Sequence, residues 1–483
     1  MAVLLRQLAK EYRALLPAWA ALTVVFLLSP LSDRHLAVLA SPAYVVAATA
    51  IGALAFGHEY TTGVLPLLLV QPCRRARVLL LKLTATASLV LGGAWWLRVS
   101  EPALHPIVQS YASAAALLSI AVAPWITMAT RNVIAGVVFT LAIPGLLLVG
   151  GDLIASARFG AAADHALQHD AFRIGVLQWG SLVSAAAGLA LTWRTFARLE
   201  VVDVRDGSTI SPARASLRHH TAIRAVRPRG WVLFRKELHL QHLTLTIAGL
   251  YAVGRIAVAV IAEPDVELTS ITLMMTTIYG IAIAALAGAM AGAEERHLRT
   301  HEWHLLLPMP VWQQWAVKVA VAVGLALTLG LLVPWLLWMA LPEVARQPVH
   351  VGNVALVTAS AVGSLYLSTV SSNGLTALLA AIPSPVVTMI FLRAVAEPAG
   401  RLAFRLFHGA GALHRPPDAV VRLARSPWVD LAVIALVEVL ILWLALTNYR
   451  LADRSWRRVA LHGAVTAAAV VVIRMALGAF GVQ

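Results

Sequence analysis

The sequence predicts an all-α polytopic membrane protein, and three observations predict it. Hydrophobic side chains make up 60% of the 483 residues and charged ones only 13%, against roughly half and one quarter in soluble domains. The surplus is not aromatic, since Phe, Trp and Tyr together reach only 7%; it comes from Ala, Val and Leu, the residues of lipid-facing helices. Apolar runs of about 20 residues also recur along the chain, each long enough to cross a bilayer as a helix. Soluble multidomain classes are excluded. The lone cysteine, Cys73, excludes an internal disulfide and any cysteine-based zinc or redox motif.

In chain order the apolar runs fall at 14–31, 41–57, 78–97, 108–129, 133–150 and 174–193. After a polar stretch they resume at 243–262, 268–290, 319–341, 351–370, 374–392 and 428–446, with a thirteenth candidate at 459–480. The expected domains are therefore a first six-span half at 1–200, a basic linker at 201–230, a second half at 231–455 and an extra C-terminal helix at 456–483. The opening residues imitate a secretory signal, with Arg6, Lys10 and Arg13 before an apolar run. Glu11 in that charged region, and a second copy of the pattern after Arg235, argue against it.

The net charge of +15 raises nucleic-acid binding first, but the positions of the arginines favour topology instead. Residues 194–236 carry ten basic side chains against three acids and lie between spans, so the positive-inside rule makes this stretch cytoplasmic. Counting back six spans places the N-terminus on the same side, along with Arg74, Arg75 and Arg77. We therefore expect a multi-pass protein of the cytoplasmic membrane with a cytoplasmic N-terminus. One loop departs from the rule: 393–427 is basic yet falls outside by count. Its interleaved Leu402, Phe404, Arg405, Leu406 and Phe407 suggest a helix lying in the interface.

The chain has only four lysines, and they fall in two matched pairs. Lys10 and Lys236 are each followed by glutamate, Glu11 and Glu237, just before the first span of each set. Lys82 and Lys318 each open a third span ten residues after a proline, Pro72 and Pro308. Glu59 and Glu295 each precede their proline by 13 residues. Asn132 and Asn373 follow the fourth spans, and Phe196-Ala197-Arg198 and Tyr449-Arg450 close the sixth. Matched charges and prolines at matched offsets point to a tandem duplication of a six-span unit. Six is even, so both copies insert in the same orientation, related by an axis along the membrane normal.

Glu59, then Tyr60-Thr61-Thr62-Gly63-Val64-Leu65-Pro66-Leu67-Leu68-Leu69, then Pro72, Arg75 and Lys82, resembles the ABC-2 type permeases, the transmembrane subunits of ABC exporters. The second copy keeps Glu295, Leu305 to Leu307, Pro308 and Lys318, but has Arg299 in place of the glycine and Gln313 and Gln314 in place of an arginine. The resemblance implies surface helices at Leu5 to Arg13 and Trp231 to Leu240, bearing Lys10, Glu11, Lys236 and Glu237. It implies ATPase-coupling segments at Glu59 to Arg77 and Glu295 to Trp315. It also implies a chain that supplies both permease units, similar to fused antibiotic and multidrug exporter permeases. Its partners would be ABC ATPase subunits, two copies, which would hold ATP and magnesium. Its cargo would be a small amphipathic or lipophilic molecule.

The residues after the four lysines are Glu11, Leu83, Glu237 and Val319, so none of them belongs to a phosphate-binding loop. Chemistry on this chain is expected to be neither enzymatic nor metal-dependent. His301, Glu302 and His304 miss the spacing of a zinc-protease signature. His165 and His169, with Asp164 and Asp170, have a metal-compatible spacing but sit in a loop predicted to be solvated. Ala287, Gly288 and Gly292 form a face for close helix packing. Arg255 and Glu438 fall inside spans and are candidates for the translocation path, as a pair or separately. The competing class is a stand-alone carrier or other polytopic protein without an ATPase, and for a carrier Glu438 is the main supporting residue.

Overall fold

The computed structural model describes residues 2–28, 34–62, 64, 74–100, 105–159, 166–199, 229–261, 266–297, 309–340, 351–371, 374–381, 391, 395–408, 427–451 and 455–479. Among these the chain is almost entirely helical, with no strand. Nine helices are long and apolar enough to cross a membrane, ten if one bent pair counts as a single span. The chain is therefore of the multi-pass membrane type. It divides into two compact units, one of residues 1–20 and 44–236, the other of 21–43 and 237–483.

The first unit takes in parts of α1 (Ala2–Leu28) and α2 (Arg34–Thr62), followed by α3 (Arg75–Ser100), α4 (Pro106–Ala121), α5 (Ala123–Thr130), α6 (Val133–Phe159) and α7 (Ala166–Arg198). The expected surface helix Leu5 to Arg13 is not separate. It is the first part of α1, which runs on through Pro17 without a break. Where a fourth span is expected, α4 and α5 form a pair bent by 48°. Pro124 has no N–H to offer the carbonyl four residues back, and at the break the Thr192 hydroxyl donates to the Ala121 carbonyl at 3.1 Å. Arg131 then takes a left-handed φ of 51°. Asn132 caps α6, its side-chain oxygen accepting from the backbone N–H of Ile134 at 2.9 Å and of Ala135 at 3.2 Å. Close approach rests on Gly52, where any Cβ would run into the Ser119 carbonyl.

The second unit is built on α8 (Arg229–Leu240), which it shares with the first, α9 (His242–Ile261), α10 (Val266–His297), α11 (Val311–Leu327), a π-helical turn (Thr328–Leu332), α12 (Val333–Met339), α13 (Val351–Val370), α14 (Gly374–Ala381), α15 (Glu397–His408), α16 (Pro427–Arg450) and α17 (Trp456–Ala479). Here the surface helix is separate. Gln241 breaks the chain between α8 and α9, its amide donating to the Ala287 carbonyl at 2.9 Å and accepting from the Thr244 hydroxyl at 2.7 Å. Gly288 sits where a Cβ would collide with the Ser364 hydroxyl, and a Cβ at Gly292 would lie 2.7 Å from the Ser368 hydroxyl. The face containing these two glycines thus seats α10 on α13. Of the expected span 374–392 the described helix covers Gly374–Ala381, and 382–390 lies outside the described residues. The amphipathic helix expected in 393–427 appears as α15. Ala396 and Ala403 are buried, and Gly400 faces the Arg474 carbonyl of α17, 3.1 Å from where a Cβ would stand. Arg401, Leu402, Arg405 and Leu406 are exposed, and the side chains of Phe404 and Phe407 lie outside the described set. The C-terminal candidate span is the continuous helix α17.

Candidate functional site: two buried Glu-Lys-Glu triads

Two of the chain's four lysines are fully buried, and a buried ammonium needs counter-charge and acceptors. In the first unit Lys82, one turn or two into α3, donates to Glu59 at the end of α2 and, at 2.8 Å, to Glu11 of α1. Its third acceptor is the Ala55 carbonyl at 2.8 Å. In the second unit Lys318 of α11 contacts Glu237 of α8 and Glu295 at the end of α10, each at 2.8 Å. Its backbone acceptor is the Ala291 carbonyl at 3.0 Å. In both units the lysine stands 27 residues after the alanine whose carbonyl it reaches. Lys82 and Lys318 are each 1% exposed, Glu59 is 2% and Glu295 is 1%.

The surroundings correspond as well. Ala55, Phe56, Leu79 and Phe196 pack together in the first unit, with the Phe56 and Phe196 rings 5.3 Å apart and Lys82 over Phe56 at 5.3 Å. In the second unit Ala291, Trp315 and Tyr449 pack together, with the Trp315 and Tyr449 rings also 5.3 Å apart. Each triad therefore joins three helices around one buried ammonium, with a pair of aromatic rings packed nearby. Each holds two carboxylates to one ammonium.

Only part of the expected coupling segment belongs to these sites. Glu59, Lys82, Glu295 and Lys318 converge as described, and Glu11 and Glu237 join them as partners of the lysines. Their neighbours point elsewhere: Lys10 is exposed and Lys236 half-buried. Arg75 caps the end of α7, donating to the Ala197 carbonyl at 2.5 Å. Arg74 and Arg77 are exposed beside it. Gly63, Pro72, Pro308 and the leucine runs lie outside the described residues, as do Asn373, His301, Glu302 and His304. His58 stands just past the apolar stretch 41–57. Burial first, then the charges of Lys82 and Lys10, hold its imidazole below its usual range, with Glu11 opposing.

The other candidates separate. Arg255 lies beside the Tyr251 hydroxyl, while Glu438 accepts from the Thr358 hydroxyl at 2.7 Å. The expected pairing of Arg255 with Glu438 is thus replaced by a different neighbour for each. Tyr251 also stacks on Tyr279 at 3.7 Å, an arrangement that their spacing of 28 residues in the sequence does not suggest. His165 and Asp164 lie outside the described residues. His169 approaches Asp152 at 3.9 Å, but that carboxylate is held by Arg173 at 3.1 Å, and Arg173 also reaches Asp170 at 3.3 Å. A guanidinium among these carboxylates repels a cation, and no metal-binding group of side chains occurs among the described residues.

Comparison of the chain with protein-family models, with curated proteins and with solved structures finds no match.

Proposed function

We propose that this chain is the transmembrane permease subunit of an ATP-driven exporter of ABC-2 type, built as a tandem duplication of one six-span unit. The observation that carries the reading is the pair of triads. Two buried lysines find the same three kinds of partner: a glutamate on the preceding surface segment, a glutamate at the end of the second span, and an alanine carbonyl one turn before that glutamate. Residues that pair by sequence offset also pair by role, which a chance likeness between apolar segments does not explain.

In this reading the triads act as the rigid joint between membrane helices and coupling segment. Each ties the surface segment, the end of the second span and the start of the third to one ammonium, so that a force applied to the segment between the second and third spans reaches three helices together. The force comes from ATP-driven closure of two partner ATPase subunits at the cytoplasmic face. The two halves alternate access to a path for a small amphipathic or lipophilic molecule. Glu59 and Glu295 are buried against lysine, so they serve coupling by holding the joint and not by touching the partner. The exposed Arg74 and Arg77 are the residues on this face placed to meet an acidic partner surface.

The test is co-purification of the tagged chain from native membranes with identification of bound proteins. An ATPase subunit should accompany wild type and be weakened by Arg74→Glu with Arg77→Glu, while the variant elutes as wild type does on size exclusion. Repeated preparations without any ATPase would overturn the reading and favour a stand-alone carrier.

A further inference from the structure

The second unit contains a cleft that the triads do not use, at the opposite end of the same helices. α10 bears Thr276 and Thr277 toward its start and Glu295 toward its end, about 28 Å apart at helical rise. The third span of this unit bears Lys318 near one end and Trp335 and Trp338 near the other. The cleft lies between α10, α12 and α13 and holds about 530 Å³ of empty space, counting its open side. Only a small part is walled all round, so it suits one end of a ligand.

Two local features shape its wall. Counting back from the matched Glu59 and Glu295, Gly280 holds the place that Tyr44 holds in the first unit. There the Tyr44 ring is fully buried and its hydroxyl donates to the Val90 carbonyl at 3.2 Å, filling the space between helices. Gly280 places no side chain there, and the Gly330 backbone and the Val357 side chain come close to it instead. The second feature is the π-helical turn, where the Val333 N–H reaches back to the Thr328 carbonyl and Pro334 offers no N–H. Turns of this kind recur at functional sites. Gly280 and Gly330 meet back to back, a Cβ on the first falling 3.1 Å from the carbonyl of the second. The indoles of Trp335 and Trp338 thereby come to line the cleft.

We propose that this cleft binds an uncharged amphipathic molecule, its flat or aliphatic body on Trp335, Trp338 and Leu356 and its hydroxyl or amide end at Thr277 and Asn353. Indoles offer large apolar faces, and the threonine and asparagine side chains supply both donors and acceptors. The Thr276 hydroxyl is engaged with Tyr251 at 2.9 Å, so it braces the wall. No charged side chain lines the cleft among the described residues, and an ionic headgroup there would be desolvated without a partner. Identifying the occupant as cargo rests on the permease reading, whereas the cleft's chemistry stands without it.

The experiment is photolabelling of the purified full chain in nanodiscs with a diazirine-bearing long-chain alcohol and its ammonium and carboxylate analogues, with labelled peptides mapped by mass spectrometry. The alcohol should saturably label peptides spanning 275–281, 333–339 and 353–357, at least about tenfold above either charged analogue. Thr277→Phe and Leu356→Trp, which plug the cleft from two different walls, should each abolish that label in protein that still elutes as wild type. Competition by diacylglycerol in the nanodisc would identify a bilayer-borne occupant, and competition by free dodecanol alone a soluble one. Non-saturable labelling, equal labelling by all three headgroups, or a label that survives both plugs would overturn the proposal. No ATPase is present, so failure here leaves the co-purification result untouched, and the converse holds as well.

Discussion

Lys318→Met removes the ammonium from between Glu237 and Glu295, which are 2% and 1% exposed. Each ion pair spans 2.8 Å, so at an effective dielectric of about 20 the attraction lost is roughly 6 kcal/mol per pair before solvation is counted. The pair's own desolvation cost, and protonation of one of the two carboxyls, offset much of this. Removal of one member of a buried pair typically costs about 3–5 kcal/mol, which for a unit of this size corresponds to a fall in Tm on the order of 10 °C. Thermal unfolding of the detergent-purified chain, followed by intrinsic fluorescence, measures it. Lys82→Met should lose a similar amount. Adding Glu237→Gln to Lys318→Met should restore part of the loss, because an amide replaces one of two like charges brought together at the same lysine, although Glu237→Gln alone destabilises. The reasoning is refuted if Lys318→Met melts within about 2 °C of wild type, or if the two substitutions simply add.

Three further outcomes test the packing and the charges. Gly288→Val and Gly52→Val drive a side chain into α13 and α4 respectively, so each should cost about 1–3 kcal/mol or more and reduce the monodisperse fraction on size exclusion, while Gly363→Ala, which meets nothing within 4 Å, should not. Asn132→Ala removes the acceptor for two N–H groups at the start of α6 and should cost about 1 kcal/mol in thermal unfolding. His58 binds fewer protons folded than unfolded because its pKa is depressed, so stability should fall as pH drops below about 6.5, and His58→Gln should flatten that fall between about pH 7 and pH 5.

Much of the site was legible because charge is costly in an apolar chain. With only four lysines, the repeated offsets of Lys82 and Lys318 and of Glu59 and Glu295 marked these four residues as matched sets, but did not show that each lysine pairs with its glutamate. That Glu11 and Glu237 turn inward to complete each triad was not legible, since a Lys-Glu pair before a span reads equally as an exposed flank. The first surface segment continues as part of α1 whereas the second ends at Gln241, a difference that the apolar pattern alone does not reveal. Arg255 and Glu438 were recognised as charges inside spans, but their neighbours Tyr251 and Thr358 are neutral hydroxyl groups, and pairing by opposite sign could not find them. The π-helical turn left one trace, Pro334, whose missing N–H reads just as well as a simple kink.

That turn also makes the third span of the second unit a shaft with a built-in phase offset. One extra residue in the turn advances everything beyond it by roughly 100° about the axis. The end bearing Lys318 and the end bearing Trp335 and Trp338 are therefore set at independent angles. Deleting a single residue within 328–332 would rotate the indoles away from α10 and α13 while leaving the lysine in its seat, a way to uncouple the two ends of one helix with a single codon.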